Sequence, residues 1–193
     1  MPPSRRRPNE LRIIGGEWRG RRLSFPALPG LRPTPDRVRE TLFNWLSPVV
    51  QGARCLDLFA GSGALGLEAL SRGAAGVTFI DNQPEVVRQL RDSLQLLQAA
   101  ERGEVVHAEA AHWLDSAKGP YRLAFLDPPF AAGLAAGTLA ALAGAGVLEP
   151  DSWVYVEQAA GQPAPIAPEG WWTHRQGRAG AVGYYLLRTG EAQ

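Results

Sequence analysis

The chain has 193 residues and a formal net charge of +1, with 45% hydrophobic and 20% charged residues. This length suits one domain with a small appendage, and the composition excludes disordered and fibrous chains. The charge is unevenly spread, because residues 1–40 carry ten arginines and four acids, whereas the remaining residues carry a net charge of −5. The sequence therefore predicts a basic N-terminal arm on an acidic body. Such an arm is either an ordinary solvated surface or a contact for a polyanion.

Signals for secretion, membrane insertion and metal binding are weak. The N-terminus lacks the apolar segment of a signal peptide, and the longest apolar stretch, residues 134–148, is interrupted by three glycines. A bilayer span needs about 20 apolar residues. The single cysteine, Cys55, cannot form an internal disulfide, and the three histidines are not spaced as metal ligands. We therefore expect a cytoplasmic protein that has no membrane partner and no bound metal.

The N-terminal third predicts a hairpin followed by a helix. Apolar side chains in residues 11–23 flank the turn residues Gly15 and Gly16, a pattern typical of a β-hairpin. Thr34, Pro35 and Asp36 predict a helix start with a hydroxyl cap and a proline at the first helical position. We place a domain boundary here, with a basic arm and hairpin in residues 1–33 and the main domain in residues 34–193.

Strands and helices alternate from residue 54 onward. Strands are predicted over residues 54–58, 76–80, 105–106, 122–126 and 153–157, with helices over residues 64–72, 84–99, 110–117 and 133–143 between them. Residues 171–175 and 182–188 predict a final antiparallel hairpin. Such alternation indicates an α/β fold with a mostly parallel sheet and helices on both faces.

The segment Asp57-Leu58-Phe59-Ala60-Gly61-Ser62-Gly63 follows a predicted strand and opens a helix. Glycines there permit a tight turn and close approach of a ligand to the helix N-terminus. Asp81 ends the next strand, where an acid can bind both ribose hydroxyls; the alternative is that Asp81 only caps a helix. Asp57 favours S-adenosylmethionine over NAD, because a carboxylate suits an ammonium group better than a pyrophosphate. A purely structural carboxylate is the alternative for Asp57.

The segment Asp127-Pro128-Pro129-Phe130 follows another predicted strand. Two successive prolines stiffen the backbone at a strand end, where open α/β sheets place their sites. The Asp127 carboxylate and a loop carbonyl can accept hydrogen bonds from an exocyclic amine and orient its nitrogen toward a methyl group. Phe130 can stack on a flipped base. Alone the segment could be an ordinary loop, but its combination with the first motif indicates methylation of a base amine.

The chain resembles the RsmD family, the 16S ribosomal RNA (guanine(966)-N(2))-methyltransferases. The family-specific part of the resemblance is R-I-I-G-G in residues 12–16 and R-V-R-E-T-L-F-N in residues 37–44. The full matching stretches are residues 12–21, 31–34, 36–46, 57–71 and 127–130. Two positions depart from the family pattern: Asp81, where relatives often carry Glu, and Glu109, where a shorter polar residue is common. We therefore expect the Ala110 backbone, more than the Glu109 side chain, to contact the adenine.

The resemblance implies a Rossmann-like S-adenosylmethionine-dependent methyltransferase fold over residues 34–193, extended by the N-terminal hairpin. It implies methyl transfer to N2 of a guanine in 16S rRNA of the small ribosomal subunit, by a monomer, with ribosomal proteins as further partners. The implied catalytic residues are Asp127, Pro128, Pro129 and Phe130. The implied cofactor contacts are Thr34, Arg37, Asp57, Phe59, Ala60, Gly61, Ser62, Gly63, Asp81, Asn82, Glu109 and Ala110. The implied RNA contacts are Arg12, Arg19, Arg21, Arg22, Arg32 and Arg39.

Three alternative functions are weighed against this one. A DNA adenine-N6 methyltransferase would use the same Asp-Pro-Pro-Phe geometry, but only 63 residues follow Phe130 and they are needed to finish the sheet. An NAD(P) oxidoreductase is disfavoured by Asp57 and by the absence of a matching catalytic set. A non-catalytic RNA-binding assembly factor is disfavoured because Asp57, Gly61, Asp81 and Asp127 are all present.

Overall fold

The computed structural model describes residues 9–130 and 133–190. Within these ranges strands and helices follow one another along nearly the whole chain. The elements in chain order are β1 (Glu10–Arg12), β2 (Arg22–Ser24), α1 (Asp36–Trp45), β3 (Arg54–Asp57), α2 (Ala64–Ser71), β4 (Gly76–Asp81), α3 (Pro84–Leu96), β5 (Gly103–His107), α4 (Ala110–Leu114), β6 (Tyr121–Leu126), α5 (Leu134–Gly144), β7 (Leu148–Ala159), β8 (Trp171–Ala179) and β9 (Val182–Thr189).

Seven strands form one sheet in the order β5-β4-β3-β6-β7-β9-β8. The first five are parallel, and β9 pairs antiparallel with both β7 and β8. The chain moves outward from β3 to β5 and then returns to place β6 on the other side of β3. This reversal leaves a crevice at the carboxyl ends of the central strands, where such sheets bind ligands. The predicted fold class is confirmed, including the C-terminal antiparallel hairpin and the N-terminal one.

The sheet separates two apolar layers. Buried side chains of α1, α2 and α3 pack on one face, where the ring of Phe43 lies 6.1 Å from that of Phe125. Side chains of α4 and α5 pack on the other face. Cys55 lies in the first layer, and burial raises the pKa of its thiol far above the usual value. It is therefore an apolar strand residue, as its surroundings in the sequence predicted.

The N-terminal hairpin joins the first apolar layer. β1 and β2 pair antiparallel, and Leu11, Ile13 and Trp18 are all at most 5% exposed within the same core as α1 to α3. The backbone N–H groups of Ile14 and Gly15 also donate to the buried carboxylate of Glu68 on α2. The predicted boundary at residue 33 therefore separates two segments that share one core.

Helix α1 begins differently from the prediction. Pro35, with φ −54° and ψ 145°, precedes the helix at its N-cap position, and no side chain caps the helix. The predicted hydroxyl cap is wrong, because the Thr34 hydroxyl donates to Oδ2 of Asp127 at 3.2 Å. A local capping signal has been replaced by a contact with a residue 93 positions away in the sequence.

In the two ranges that the structure describes, we find no helix with the length and apolar character required to cross a membrane.

Candidate active site

Four carboxyl groups lie at the carboxyl ends of four neighbouring strands. Asp81 ends β4, Asp57 ends β3, Asp127 directly follows β6, and Glu157 lies near the end of β7. These strands are adjacent in the order β4-β3-β6-β7, so the four side chains line one edge of the sheet. Such a row of buried and partly buried acids is stabilised when a cation binds among them. The two motifs noted in the sequence thus meet at this edge, as predicted.

The loop after β3 is closed by Asp81. Its Oδ2 accepts a hydrogen bond from the N–H of Gly61 at 2.9 Å, and its Oδ1 accepts one from Gln83 N–H, also at 2.9 Å. Gly63 has φ +78°, a left-handed conformation that favours glycine, and directly precedes α2. Burial raises the pKa of Asp81, and these backbone hydrogen bonds oppose that rise. Asp81 therefore organises the loop and still has lone pairs available for a ribose.

Asp57 holds the start of α2 against the sheet. Its Oδ2 accepts a hydrogen bond from Gly66 N–H at 3.0 Å. Any Cβ at Gly66 would lie 2.2 Å from the Phe79 ring, so only glycine permits this approach. Within the described ranges, Oδ1 of Asp57 is buried and has no hydrogen-bond partner. Burial raises the pKa of Asp57 to about 7, an effect that the Asp127 and Asp81 carboxylates reinforce.

This environment fits S-adenosylmethionine. An acid with a raised pKa and an unsatisfied buried oxygen is stabilised by a nearby positive charge, and this cofactor carries an ammonium and a sulfonium. Gly61 and Gly63, which carry no side chains, lie just before the N-terminus of α2. Asp57 and Asp81 are therefore the residues best suited to hold the two ends of the cofactor.

The other predicted cofactor residues surround this loop to different extents. Ala60 is buried and donates its N–H to the Ile80 carbonyl, whereas Phe59 and Ser62 are half-buried. Asn82 is exposed and its carbonyl bonds to a ring nitrogen of His107. Glu109 is exposed immediately before α4, and Ala110 is the buried first residue of that helix. Arg37 is exposed on the first turn of α1. These residues thus divide by burial: Ala60 and Ala110 are buried, whereas Arg37, Asn82 and Glu109 are exposed.

The Asp-Pro-Pro-Phe segment leaves the sheet beside Asp57. Asp127 is partly exposed, Pro128 is buried, Pro129 is exposed, and the Phe130 ring is 37% exposed. Burial raises the pKa of Asp127 to about 6, and the hydrogen bond from Thr34 opposes that rise. The segment thus presents a carboxylate and an accessible aromatic ring at the same strand end.

Sequence reasoning missed Glu157. Its side chain is 2% exposed, and the Tyr155 hydroxyl donates to its Oε1 at 2.8 Å. Burial and the neighbouring Asp127 carboxylate raise its pKa well above the usual value for glutamate. The only sequence signal was an acid at the end of a predicted strand, and its significance depends on that strand lying next to β6.

The predicted RNA contacts divide into exposed and buried arginines. Arg39 is 1% exposed, and its guanidinium contacts Asp36, Glu68 and two backbone carbonyls. We therefore correct its predicted RNA contact, because the side chain is enclosed by the hairpin and α2. The remaining five, all exposed, are Arg12, Arg19, Arg21, Arg22 and Arg32. Of these, Arg12 pairs with Asp36 and Arg22 pairs with Glu10.

Comparison with known proteins agrees with this architecture. The family described as Conserved hypothetical protein 95 matches residues 11–188. Ribosomal RNA small subunit methyltransferase D of Escherichia coli K12 is 48% identical over 191 residues, covering 99% of this chain and 96% of its own. The protein of the same name from Haemophilus influenzae is 43% identical over 182 residues, covering 93% of this chain and 94% of its own.

Solved structures show the same fold. The methyltransferase yhhF from Escherichia coli superposes with a TM-score of 0.87 at 47% identity, covering 95% of this chain and 99% of its own. An RNA methyltransferase from Salinibacter ruber, solved with S-adenosyl-L-homocysteine, superposes with a TM-score of 0.62 at 18% identity. The superposition covers 84% of this chain and 96% of that protein. The similarity to the Salinibacter ruber protein shows a shared fold alone. The chain therefore belongs to the family described as Conserved hypothetical protein 95, the RsmD family, with the Rossmann-like fold of S-adenosylmethionine-dependent methyltransferases.

Proposed function

We propose that this protein transfers a methyl group from S-adenosylmethionine to the exocyclic N2 of a guanine in 16S rRNA of the small ribosomal subunit. The observation that carries the proposal is the placement of Asp127 next to Asp57 at the carboxyl edge of the sheet, with the Phe130 ring accessible beside it. The names of the relatives, which specify rRNA of the small subunit, support the substrate class.

The target amine needs help from the protein. The lone pair of an exocyclic amine is delocalised into the base, so the nitrogen is a poor nucleophile. Asp127 accepts a hydrogen bond from the amine N–H, orients the nitrogen and stabilises the positive charge that grows on it. The nitrogen loses one proton after the transfer and becomes neutral again. Phe130 stacks on the base, and the two prolines keep the segment rigid. S-adenosylmethionine, when bound, supplies a methyl group on a positively charged sulfur.

The test is to methylate small subunits from a strain that lacks the enzyme. Purified protein and labelled S-adenosylmethionine are incubated with these subunits and, separately, with naked 16S rRNA and with DNA. Nucleosides are then separated and identified by mass. We expect label in N2-methylguanosine at one position of 16S rRNA. Label in N6-methyladenosine of DNA would instead establish the alternative DNA activity. RNA binding without label in any nucleoside would indicate an assembly factor.

Exposed arginines near the N-terminus supply the phosphate contacts in this proposal. Deleting the arm is unsuitable as a test, because Leu11, Ile13 and Trp18 belong to the core. Arg19 and Arg32 are exposed and can be replaced by alanine. Each lost phosphate contact should reduce the slope of log K against log salt by about 0.7–0.9. We expect the double variant to show a shallower slope and unchanged affinity for S-adenosylhomocysteine. A wild-type slope would rule out both arginines as phosphate contacts.

A further inference from the structure

The parallel pairing of β6 and β7 places Glu157 beside Asp127. Leu126 and Val156 are register partners, so Asp127 and Glu157 are the next residues along two adjacent strands. Side chains alternate between sheet faces, which puts both carboxyl groups on the face occupied by Phe125 and Tyr155. Asp127 faces the substrate side of this pair, whereas Glu157 is 2% exposed and lies behind it.

Hydroxyl groups hold the pair from both sides. Thr34 donates to Oδ2 of Asp127 at 3.2 Å, and the Tyr155 hydroxyl donates to Oε1 of Glu157 at 2.8 Å. The pair is also faced by Asp57 on β3 and by Tyr184 on β9, the register partner of Glu157. Two adjacent carboxyl groups in such a place do not both carry a negative charge, so they share one proton.

The proton belongs on Glu157. Glu157 is the more buried of the two, and burial together with the Asp127 charge raises its pKa well above the usual value, whereas burial raises that of Asp127 only to about 6. In this arrangement Glu157 is the donor and Asp127 the charged acceptor. A charge-assisted hydrogen bond of this kind restricts the orientation of the acceptor carboxylate.

We infer that Glu157 is a positioning residue for methyl transfer: as a neutral buried acid it donates a hydrogen bond to Asp127 and orients that carboxylate toward the target amine. This inference rests on the proposed function, because it assumes that Asp127 holds an amine. Thr34 donates to Oδ2 of Asp127, and Glu157 is the second donor that this inference assigns to the same carboxylate. The paired acids also present one negative charge to the substrate, not two.

Two substitutions separate this role from its alternatives. Glu157→Gln keeps the shape and an N–H donor but cannot ionise. Glu157→Leu fills a similar volume without any donor, but it leaves the buried Tyr155 hydroxyl without its acceptor, so the folding of this variant must be verified. Gln158→Leu is the matched control, since it is a neighbouring buried polar residue whose side chain bonds to the Pro163 carbonyl. If leucine prevents folding at position 157, methionine takes its place.

The expected results concern turnover and its pH dependence. Glu157→Leu should lower kcat by about 10- to 100-fold, the effect of losing one hydrogen bond to a charged group. Its KM for S-adenosylmethionine should stay within about threefold of the wild-type value. Asp127 must be ionised to accept the hydrogen bond from the amine. We therefore expect kcat/KM to fall as the pH drops through the pKa of Asp127, about 6 in the wild type.

In Glu157→Leu the fall of kcat/KM at low pH should move to higher pH, because Asp127 loses a hydrogen-bond donor and its pKa rises. Glu157→Gln should keep near wild-type kcat and an acid limb near that of the wild type. Wild-type kcat and pH profile in Glu157→Leu would overturn the inference, and so would an inactive, folded Glu157→Gln, which would require an ionised Glu157.

Folding of the variants is checked by thermal unfolding and by affinity for S-adenosylhomocysteine. Failure of the wild type to form N2-methylguanosine would refute the proposed function instead, so the two failures are distinguishable.

Discussion

Replacing Asp127 by alanine should lower the rate of methyl transfer by about 10²- to 10³-fold, the usual loss when one preorganised polar group is removed from a reacting centre. Asp127 directly follows β6, and in the proposed mechanism its carboxylate is the acceptor for the target amine. The affinity for S-adenosylhomocysteine should stay within several-fold, because Asp57 and Asp81, which surround the cofactor loop, are unchanged. Labelled methyl incorporation into RNA and calorimetric titration of S-adenosylhomocysteine are the measurements.

A second substitution at this position tests the role of the acceptor. Asparagine retains one carbonyl oxygen, so Asp127→Asn should be more active than Asp127→Ala and less active than the wild type. Asp115 is an exposed acid after α4, and Asp115→Ala is the matched control with expected wild-type turnover. Normal turnover in Asp127→Ala would contradict the mechanism, because the amine would then be activated without this acceptor.

Replacing Arg39 by alanine should destabilise the fold by about 3 kcal/mol, the lower end of the range for breaking a buried ion pair. Arg39 is 1% exposed, and its Nη1 lies 3.3 Å from Oε2 of the fully buried Glu68. Its Nη2 contacts Asp36 at 2.8 Å and the Arg12 carbonyl at 2.9 Å. Without the guanidinium, Glu68, Asp36 and the Arg12 carbonyl each lose a hydrogen-bond donor. In a chain of this size the melting temperature should fall by roughly 6–12 °C.

Arg37 provides the control for this experiment. It lies two residues earlier on the same helix but is exposed, so Arg37→Ala should change stability by no more than about 0.5 kcal/mol. Chemical denaturation measures both variants. Equal stabilities of Arg37→Ala and Arg39→Ala would contradict the structural role of Arg39.

Much of the fold was predictable because its signals are local. The alternation of strands and helices from residue 54 onward follows from side-chain periodicity and from glycines and prolines between the elements. The loop after β3 was also predictable. Gly61, Gly63 and Asp81 belong to a single strand–loop–helix–strand unit of about 25 residues, in which the acid that closes the loop ends the next strand.

Three side chains show where local signals fail. Thr34 was expected to cap α1, but its hydroxyl contacts Asp127. Arg39 has the sequence appearance of a surface arginine in a basic segment, but the hairpin folds over it and buries it against Glu68. Glu157 gave no functional signal, because its importance depends on β7 lying next to β6.

The difference between the predictable and the unpredictable features has one physical cause. Backbone conformation and side-chain periodicity depend on neighbours a few residues away, so the order of elements and the two motifs follow from the chain alone. Burial and charge state depend on residues brought together from distant parts of the chain. In the described part of the basic N-terminal segment, the arginines thus divide into an exposed set and the buried ion-pair partner Arg39. The acids of the body become a row of four at the carboxyl edge of the sheet, and Asp127 and Glu157 become neighbours once β6 and β7 are paired.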